Sequence, residues 1–236
     1  MALAQAQKHL ARVQIVGRAQ ERRWHPLWEG SNIARLGEVG DFPAIVNGPG
    51  CRPYVDYRRS TKDRWAFTAW RCRRARLPAL SPDPRAAGTV LIEPHLKPTA
   101  SPNKQWGRWA ELVASYPEVR WAQPGNAGTR WLPGVEPLET RDFTDACRLL
   151  LACDSAVLPE GALHHAAAAL GRRVVVLFGG MIRPANTGYD EHINLAVDDP
   201  EAVGWRVRHP ACARAWSRIT PDVVRTALES ARKTPS

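Results

Sequence analysis

The pattern of apolar and polar positions predicts strands that alternate with helices from residue 89 onward. Short apolar runs, typical of buried strands, occur at residues 89–93, 119–122, 138–139, 155–158, 173–178 and 193–197. Helical patterns occur at residues 104–116, from Thr140 or Asp142 to Cys153, at 163–170 and at 222–231. This alternation predicts a doubly wound α/β fold with a parallel sheet.

The most informative stretch is residues 153–186, CDSAVLPEGALHHAAAALGRRVVVLFGGMIRPAN. Its alanine-rich part is strongly helical and is predicted to end at Gly171. The β-branched run that follows is typical of a strand buried on both faces of a parallel sheet. Gly179 and Gly180 then allow a tight turn at the carboxyl end of that strand, where open α/β sheets bind ligands.

The first part of the chain contains fewer strand signals. A helix is predicted at residues 3–10, and short strands at 12–16 and 44–46. A doubly wound domain normally opens with a strand and a glycine-containing loop, whereas here a helix comes first. We therefore expect a reduced or truncated Rossmann-like domain. The proline- and glycine-rich residues 80–88 are predicted as the linker between domains 1–86 and 87–236.

The net charge of +10 comes almost entirely from the first domain. Residues 1–86 contain 16 Lys and Arg against 7 Asp and Glu, a balance of +9. Residues 87–236 contain 17 against 16, a balance of +1. Such an excess favours a polyanionic partner, through steering and counterion release. A merely solvated basic surface is the alternative.

A basic and aromatic segment, residues 52–76, contains nine of these Lys and Arg residues and two Asp residues. Basic side chains bind phosphates, and flat rings offer stacking surfaces for bases or sugars. The candidate acceptor-binding residues are Arg58, Arg59, Lys62, Trp65, Trp70 and Arg73. An amphipathic helix whose rings pack inward is the alternative.

The five cysteines, at positions 51, 72, 147, 153 and 212, form no CxxC pair. This usage favours a reduced cytoplasmic protein. No apolar stretch is long enough to predict a membrane span, and the N-terminus lacks the order of a signal peptide. We expect a cytoplasmic location. Two variants of this location are the inner face of the membrane and, for a virus-encoded protein, the cytoplasm of the host.

Residues 153–188 resemble the donor-binding segment of glycosyltransferase family 9, the ADP-heptose:lipopolysaccharide heptosyltransferases. The shared features are an acid, two small residues, a histidine, an alanine-rich helix ending in Leu-Gly, an apolar strand and a Phe-Gly turn. Here they are Glu160, Gly161-Ala162, His165, 166–169, Leu170-Gly171, 174–177 and Phe178-Gly179. Glu160 stands where the family usually has Asp, and Ala162 where it usually has Gly. The resemblance implies a GT-B fold of two Rossmann-type domains, the second of which binds a nucleotide sugar.

The donor-binding residues follow partly from this resemblance. Lys104 and Trp106 resemble a Lys-x-Trp motif whose lysine faces the donor diphosphate, and a helix N-terminus there would favour phosphate. Glu160 and His165 are candidates for binding the ribose, base or sugar, although His164-His165 could also be a structural pair. The full predicted set is Ser101, Lys104, Glu160, Gly161, His165, Gly179, Gly180, Thr187 and Gly188.

The resemblance implies an inverting, metal-independent transferase that needs no cofactor besides its nucleotide-sugar substrate. Fixed donors must hold the diphosphate leaving group, and a base must take the proton of the acceptor hydroxyl. The family's base lies in an early Gly-Asp loop. Gly40-Asp41 comes too late in the chain to match it, so Asp41 and Asp56 are candidates without a motif. Cys212 stands alone where the family often has several cysteines, so no metal site is predicted.

Three functions stay open at this stage. The first is transfer of a sugar to a phosphorylated glycan of the lipopolysaccharide type, which the resemblance implies. The second is a phage-type DNA glycosyltransferase that acts on hydroxymethylated bases, which the basic and aromatic segment favours. The third is a non-catalytic remnant that binds the donor, which the missing first strand and loop favour. The sequence predicts no oligomeric state.

Overall fold

The computed structural model describes residues 12–17, 21–42, 44–46, 77, 79–95, 102–179, 182–196, 199–202 and 207–233. The chain divides into two compact units, Met1–Leu80 and Ser81–Ser236. The predicted helix at 3–10 and the basic and aromatic segment 52–76 lie outside the described residues. Ser101, Gly180 and the alternative base candidate Asp56 also lie outside them.

The first unit contains a small sheet of three strands. These are β1 (Gln14–Val16), β2 (Arg22–Arg23) and β3 (Ala44–Val46). The central strand β1 pairs antiparallel with β2 and parallel with β3. Val13, Ile15 and Ile33 form its core, against which two tryptophan rings pack. The strand predictions at 12–16 and 44–46 are confirmed.

The second unit is built on a parallel sheet of six strands. They are β4 (Val90–Ile92), β5 (Trp121–Gly125), β6 (Glu136–Glu139), β7 (Ser155–Pro159), β8 (Val175–Phe178) and β9 (Ile193–Ala196). Their spatial order is β6-β5-β4-β7-β8-β9, and every pairing is parallel. This is the Rossmann strand order, so the α/β prediction is confirmed.

Six α-helices accompany this sheet in the described part of the chain. They are α1 (Trp109–Ser115), α2 (Phe143–Ala152), α3 (Ala162–Ala169), α4 (Pro184–Thr187), α5 (Pro210–Ser217) and α6 (Pro221–Lys233). Asp142, not Thr140, caps α2, because its carboxylate accepts from the backbone N–H groups of residues 144 and 145. Gly171 ends α3 with a φ of 72°, a backbone conformation that glycine adopts at little cost. No helix among these residues is both long and apolar enough to cross a membrane.

Tryptophan side chains connect the sheet to the C-terminal helices. Trp106 and Trp109 belong to a buried cluster with strands β4, β7 and β8 and with helix α6. The Trp106 indole N–H donates to the Ile219 carbonyl at 2.9 Å, and the Trp216 indole N–H donates to the Asn103 carbonyl at 2.9 Å. Buried indole groups require such partners. The 3-10 turn Pro102–Lys104 is therefore held to the C-terminal helices.

The predicted helix at 104–116 is wrong at its start. The helix α1 begins only at Trp109, and Lys104 is the last residue of the preceding 3-10 turn. The Trp106 side chain is drawn into the core, where it is 1% exposed, and Gly107 follows it as part of a turn. Lys104 consequently does not lie at a helix N-terminus, and phosphate binding there cannot rest on a helix dipole.

Residues 81–88, which the composition predicts to be a linker, are folded against the second unit. Pro84–Ala86 form a 3-10 turn that is capped by the Asp83 carboxylate. The Asp83 N–H donates to the Arg148 carbonyl at 3.0 Å, and the Arg148 Nε donates back to the Ser81 carbonyl at 3.0 Å. These bonds attach the segment to α2, so the two units divide after Leu80, six residues before the predicted boundary.

Candidate functional site

The strand order places one crevice at the centre of the sheet. The chain runs outward from β4 to β5 and β6 on one side, and from β7 to β8 and β9 on the other. Ligands of open α/β sheets bind outside the carboxyl ends of the strands where the order reverses, here between β4 and β7. The first residue after β4 is Glu93, and the first after β7 is Glu160. Two carboxyl groups therefore follow the strands that border this crevice.

Lys104 and Glu160 form an ion pair at this crevice. The Lys104 side chain is 19% exposed and that of Glu160 is 8% exposed. Water screens such a pair weakly, and its two charges compensate each other's loss of hydration. The pair places one cation, with little freedom to move, beside the start of α3.

His165 extends the pair toward α4. Its Nε2 lies 3.9 Å from Glu160 Oε1, and its Nδ1 lies 2.9 Å from the Tyr189 hydroxyl. Tyr189 is itself buried and follows the Thr187-Gly188 dipeptide. The resemblance assigns donor contacts to the residues of this region. The structure brings Lys104, Glu160 and His165 together from two segments that are distant in sequence, the turn Pro102–Lys104 and residues 160–165.

His164 has a different environment from its neighbour. It is fully buried, and its Nε2 lies 2.9 Å from the Thr187 carbonyl oxygen, so Nε2 is the donor. Its Nδ1 accepts from the Gly161 N–H at 3.0 Å. Both ring nitrogens are thus used by the backbone, which holds the start of α3 to the end of α4.

Replacing His164 by alanine is expected to destabilise the protein by about 2–3 kcal/mol, since it leaves two buried backbone groups without partners. Alanine at the half-buried His165 removes a contact with the Tyr189 hydroxyl and leaves both backbone bonds of His164 in place, so it should cost much less stability. Thermal denaturation of both variants checks this. Equal losses of stability would contradict the division of roles between the two histidines.

A cavity of about 270 Å³ opens beside the crevice, at the carboxyl ends of β4 and β5 and the start of α2. Its polar lining residues are Glu93, Asn126, Thr129, Thr140, Arg141 and Asp142. Arg141 forms a salt bridge with Asp145, which lowers the pKa of that carboxyl to about 2, mainly through hydrogen bonds. The Asp145 carboxyl near the start of α2 is therefore ionised at neutral pH.

Glu93 lines this cavity at the carboxyl end of β4, and the residue is half-buried. Burial raises its pKa from 4.5 to about 8, against the opposing effect of the Lys104 charge. Its Oε2 is buried, and it has no hydrogen-bond partner within the part of the chain that the structure describes. At neutral pH Glu93 is therefore mainly a neutral carboxylic acid.

The raised pKa of Glu93 predicts how stability depends on pH. Between about pH 4.5 and 8 the folded state binds this proton and the unfolded state releases it, so folding free energy is lost as the pH rises through that range. Glu93→Gln is expected to remove this loss and to gain on the order of 4 kcal/mol at about pH 8.5 relative to pH 5. Urea denaturation at both pH values measures it, and identical pH profiles of the two proteins would contradict it.

Glycine is required at some positions of the predicted site and not at others, as the space around each residue shows. A Cβ atom on Gly179 would lie 2.1 Å from both the Asn103 carbonyl oxygen and the Trp216 ring. On Gly188 it would lie 2.7 Å from the Pro184 carbonyl oxygen. Around Gly161 the nearest atom would be 3.7 Å away. Packing therefore explains Gly179 and Gly188, but it does not explain Gly161.

One group of described residues could approach a metal ion. The ligand atoms of Glu160, His164 and His165 all lie within 4.8 Å of one another. In the structure His164 bonds to the backbone through both nitrogens, and Glu160 pairs with Lys104. A metal ion would have to replace those bonds, so the arrangement fits an ion-pair site better than a metal centre.

The other predicted residues are not part of this group. Asp41 is exposed in the first unit, and Ser101, Gly180 and the six acceptor candidates lie outside the described residues. Thr187 is buried and offers its carbonyl to His164. Sequence reasoning missed Glu93, Asn103 and Tyr189. Glu93 had a usable signal, because an acid at the end of an apolar strand falls at the same sheet edge as Glu160.

No protein-family model and no curated protein matches this sequence. Among solved structures, the iron-containing dodecameric glycosyltransferase TibC of enterotoxigenic E. coli matches with a TM-score of 0.52 at 17% identity, over 67% of this chain and 48% of that one. TibC in complex with ADP-D-β-D-heptose gives 0.51 at 16%, over 67% and 48%. E. coli ADP-heptose lipopolysaccharide heptosyltransferase II gives 0.47 at 20%, over 62% and 47%.

The chain thus spans about half the length of these glycosyltransferases. At such low identities the likeness to TibC concerns the fold, and it confirms the predicted GT-B-like α/β architecture. The parallel sheet and the crevice between β4 and β7 are the features that this fold provides.

Proposed function

We propose that the second unit binds a nucleotide sugar and that the protein transfers the sugar to an anionic acceptor. The observation that carries this proposal is the Lys104–Glu160 pair at the point where the strand order reverses. A partly buried cation there fits the diphosphate of a nucleotide sugar, and the adjoining cavity is lined by groups that can hydrogen-bond a nucleoside. The likeness in fold to TibC, whose complex contains ADP-heptose, supports the donor class.

Transfer of the sugar requires three contributions from the site. The diphosphate gains negative charge as the sugar leaves, and the Lys104 ammonium can stabilise that charge because its position is already fixed. Glu160 and His165 can orient the ribose or the sugar through hydrogen bonds. The acceptor hydroxyl must lose a proton to a base, for which Asp41 remains a candidate. We propose an inverting reaction in which Lys104 provides the positive charge that a metal ion provides in other transferases.

The acceptor that we favour is a phosphorylated glycan of the lipopolysaccharide type. The first 86 residues carry nine of the ten net positive charges, which suits a phosphorylated acceptor. The second unit is almost neutral, at +1, so the charge is concentrated on the proposed acceptor side.

A second candidate is DNA that carries hydroxymethylated bases. The specific observation that favours it is the basic and aromatic segment 52–76, in which rings alternate with Lys and Arg. That composition suits stacking on bases together with phosphate contacts. Of the two acceptors, only DNA predicts that the protein binds a duplex and that this binding weakens steeply as the salt concentration rises.

The proposed function is tested by following nucleotide release from a panel of nucleotide sugars that includes ADP-heptose. Each donor is offered alone, with a phosphorylated lipopolysaccharide core and with hydroxymethylated duplex DNA. Release that rises only with the glycan supports the favoured function, and release that rises only with DNA supports the second. Nucleotide binding without release from any donor would favour a non-catalytic remnant. An assay with a chelator shows whether a metal ion takes part.

Gly161 offers a further test of where the donor lies. The Cβ of an alanine at this position would lie no closer than 3.7 Å to any other atom, and the backbone there is already extended, with a φ of −173°. The free energy of unfolding should therefore change little. If the donor approaches the first turn of α3, the added methyl group should weaken nucleotide binding about tenfold. Calorimetric titration with ADP, beside a melting curve, measures both. Unchanged affinity would place the donor away from Gly161.

A further inference from the structure

Glu93 is a half-buried acid with one fully buried oxygen, and the proposed chemistry has no use for it. It follows β4, lines the cavity and has an oxygen, Oε2, that is buried and without a hydrogen-bond partner in the described part of the chain. Buried polar atoms of folded proteins nearly always have partners, so such an atom at a cavity wall requires an explanation. A ligand in the cavity would supply one.

The charged groups around Glu93 determine whether a ligand meets the ionised or the neutral form of its carboxyl group. The turn Pro102–Lys104 contributes Lys104, which already forms an ion pair with Glu160. The start of α2 contributes Arg141, which pairs with Asp145, and the Asp142 carboxylate that caps the helix. His165 lies beside Glu160. No cation in this described surrounding is paired with Glu93, so an ionised carboxylate there would be poorly compensated.

We propose that Glu93 takes part in nucleotide binding as a neutral carboxylic acid whose O–H donates a hydrogen bond to an acceptor atom of a nucleoside diphosphate in this cavity. This inference rests on the proposed function and extends it to one residue and one protonation state. A diphosphate near Lys104 adds negative charge to the site and stabilises the neutral form of Glu93 further. Binding therefore takes up a proton wherever the ligand-free protein has begun to lose it.

The direction of the pH effect follows from burial. Because the pKa of Glu93 is raised to about 8, the proton is present at neutral pH and is lost in alkaline solution. Affinity for a nucleoside diphosphate should be nearly constant below about pH 7.5 and fall toward tenfold per pH unit above about pH 8.5. A glutamine at this position keeps an N–H donor and has no proton to lose.

The experiment is calorimetric titration of the full chain with ADP and CDP, whose bases do not titrate in mildly alkaline solution, between about pH 7.5 and 9.5. GDP and UDP, whose bases lose a proton toward the upper end, are titrated at about pH 7.5 alone. Wild type, Glu93→Gln and the matched control Glu118→Gln, which alters an exposed carboxylate, are compared. Wild type and the control should lose at least about tenfold in affinity across this range, and Glu93→Gln less than about twofold. Should Glu93→Gln not fold, the wild type alone suffices, because titration in buffers of different ionisation enthalpy counts the protons taken up.

The outcomes separate this inference from the proposed function. Nucleotide binding that shows no proton uptake, or the same pH dependence in wild type and Glu93→Gln, would overturn the role of Glu93 and leave donor binding intact. Failure of all four nucleotides to bind at any pH would overturn the proposed function, and the inference with it.

Discussion

A methionine in place of Lys104 is expected to lower the affinity for a nucleoside diphosphate at least about 30-fold, which corresponds to about 2 kcal/mol. The substitution keeps the length of the side chain and removes its charge. It also leaves Glu160, whose side chain is 8% exposed, without its cation, and the loss of one member of a buried pair costs about 3 kcal/mol of stability. Binding and stability should therefore both fall.

A double variant separates these two effects. Adding Glu160→Gln to Lys104→Met removes the uncompensated charge, so most of the stability should return while the affinity for ADP stays low. Arg218→Ala is the matched control, because it removes an exposed positive charge elsewhere in the same unit. Titration with ADP and urea denaturation are the two measurements. If the double variant binds ADP as wild type does, Lys104 does not hold the diphosphate.

Alanine in place of Gly179 is expected to destabilise the protein by about 3 kcal/mol, which lowers the melting temperature by roughly 10 °C. Its Cβ would meet the Asn103 carbonyl and the Trp216 ring at 2.1 Å, and neither can move without breaking the hydrogen bond between them. The strain falls on the turn that carries Lys104, so nucleotide affinity should decline as well.

Gly107→Ala is the control for this variant. A Cβ on Gly107 meets no atom within 4 Å, although the residue lies only three positions after Lys104. Its melting temperature should stay within about two degrees of wild type. A melting temperature of Gly179→Ala close to wild type would show that the packing around Trp216 is looser than the structure indicates.

The architecture of the second unit was predictable because apolar residues recur with different periods in its strands and in its helices. The run at 173–178 is apolar at nearly every position, and β8 is indeed buried along its whole length. The alanine-rich stretch and Gly171 determine α3 almost to the residue. These signals are local, so one sequence was enough to identify them.

The site was predictable only in part, because its geometry depends on contacts between distant residues. The resemblance pointed to Lys104, Glu160 and His165, which the structure does bring together. The start of α1 was misplaced because Trp106 bonds to the Ile219 carbonyl, a partner 113 residues away that no local pattern reveals. The Trp216 ring, which forbids a side chain on Gly179, also comes from a separate helix that no local pattern around Gly179 reveals.

Trp216 also has a consequence for the order in which the chain assembles. The central strand β4 pairs with β5 on one side and acquires its second neighbour, β7, only when residues 155–157 are available. The Asn103 carbonyl receives its indole partner later still, from α5 near the C-terminal end. During synthesis the sheet can therefore form before the turn Pro102–Lys104 receives its bond from Trp216, when Glu160 is already available to pair with Lys104. We expect fragments that stop before Trp216 to keep much of the sheet and to bind nucleotide more weakly at the proposed site, because the turn that carries Lys104 is held less firmly.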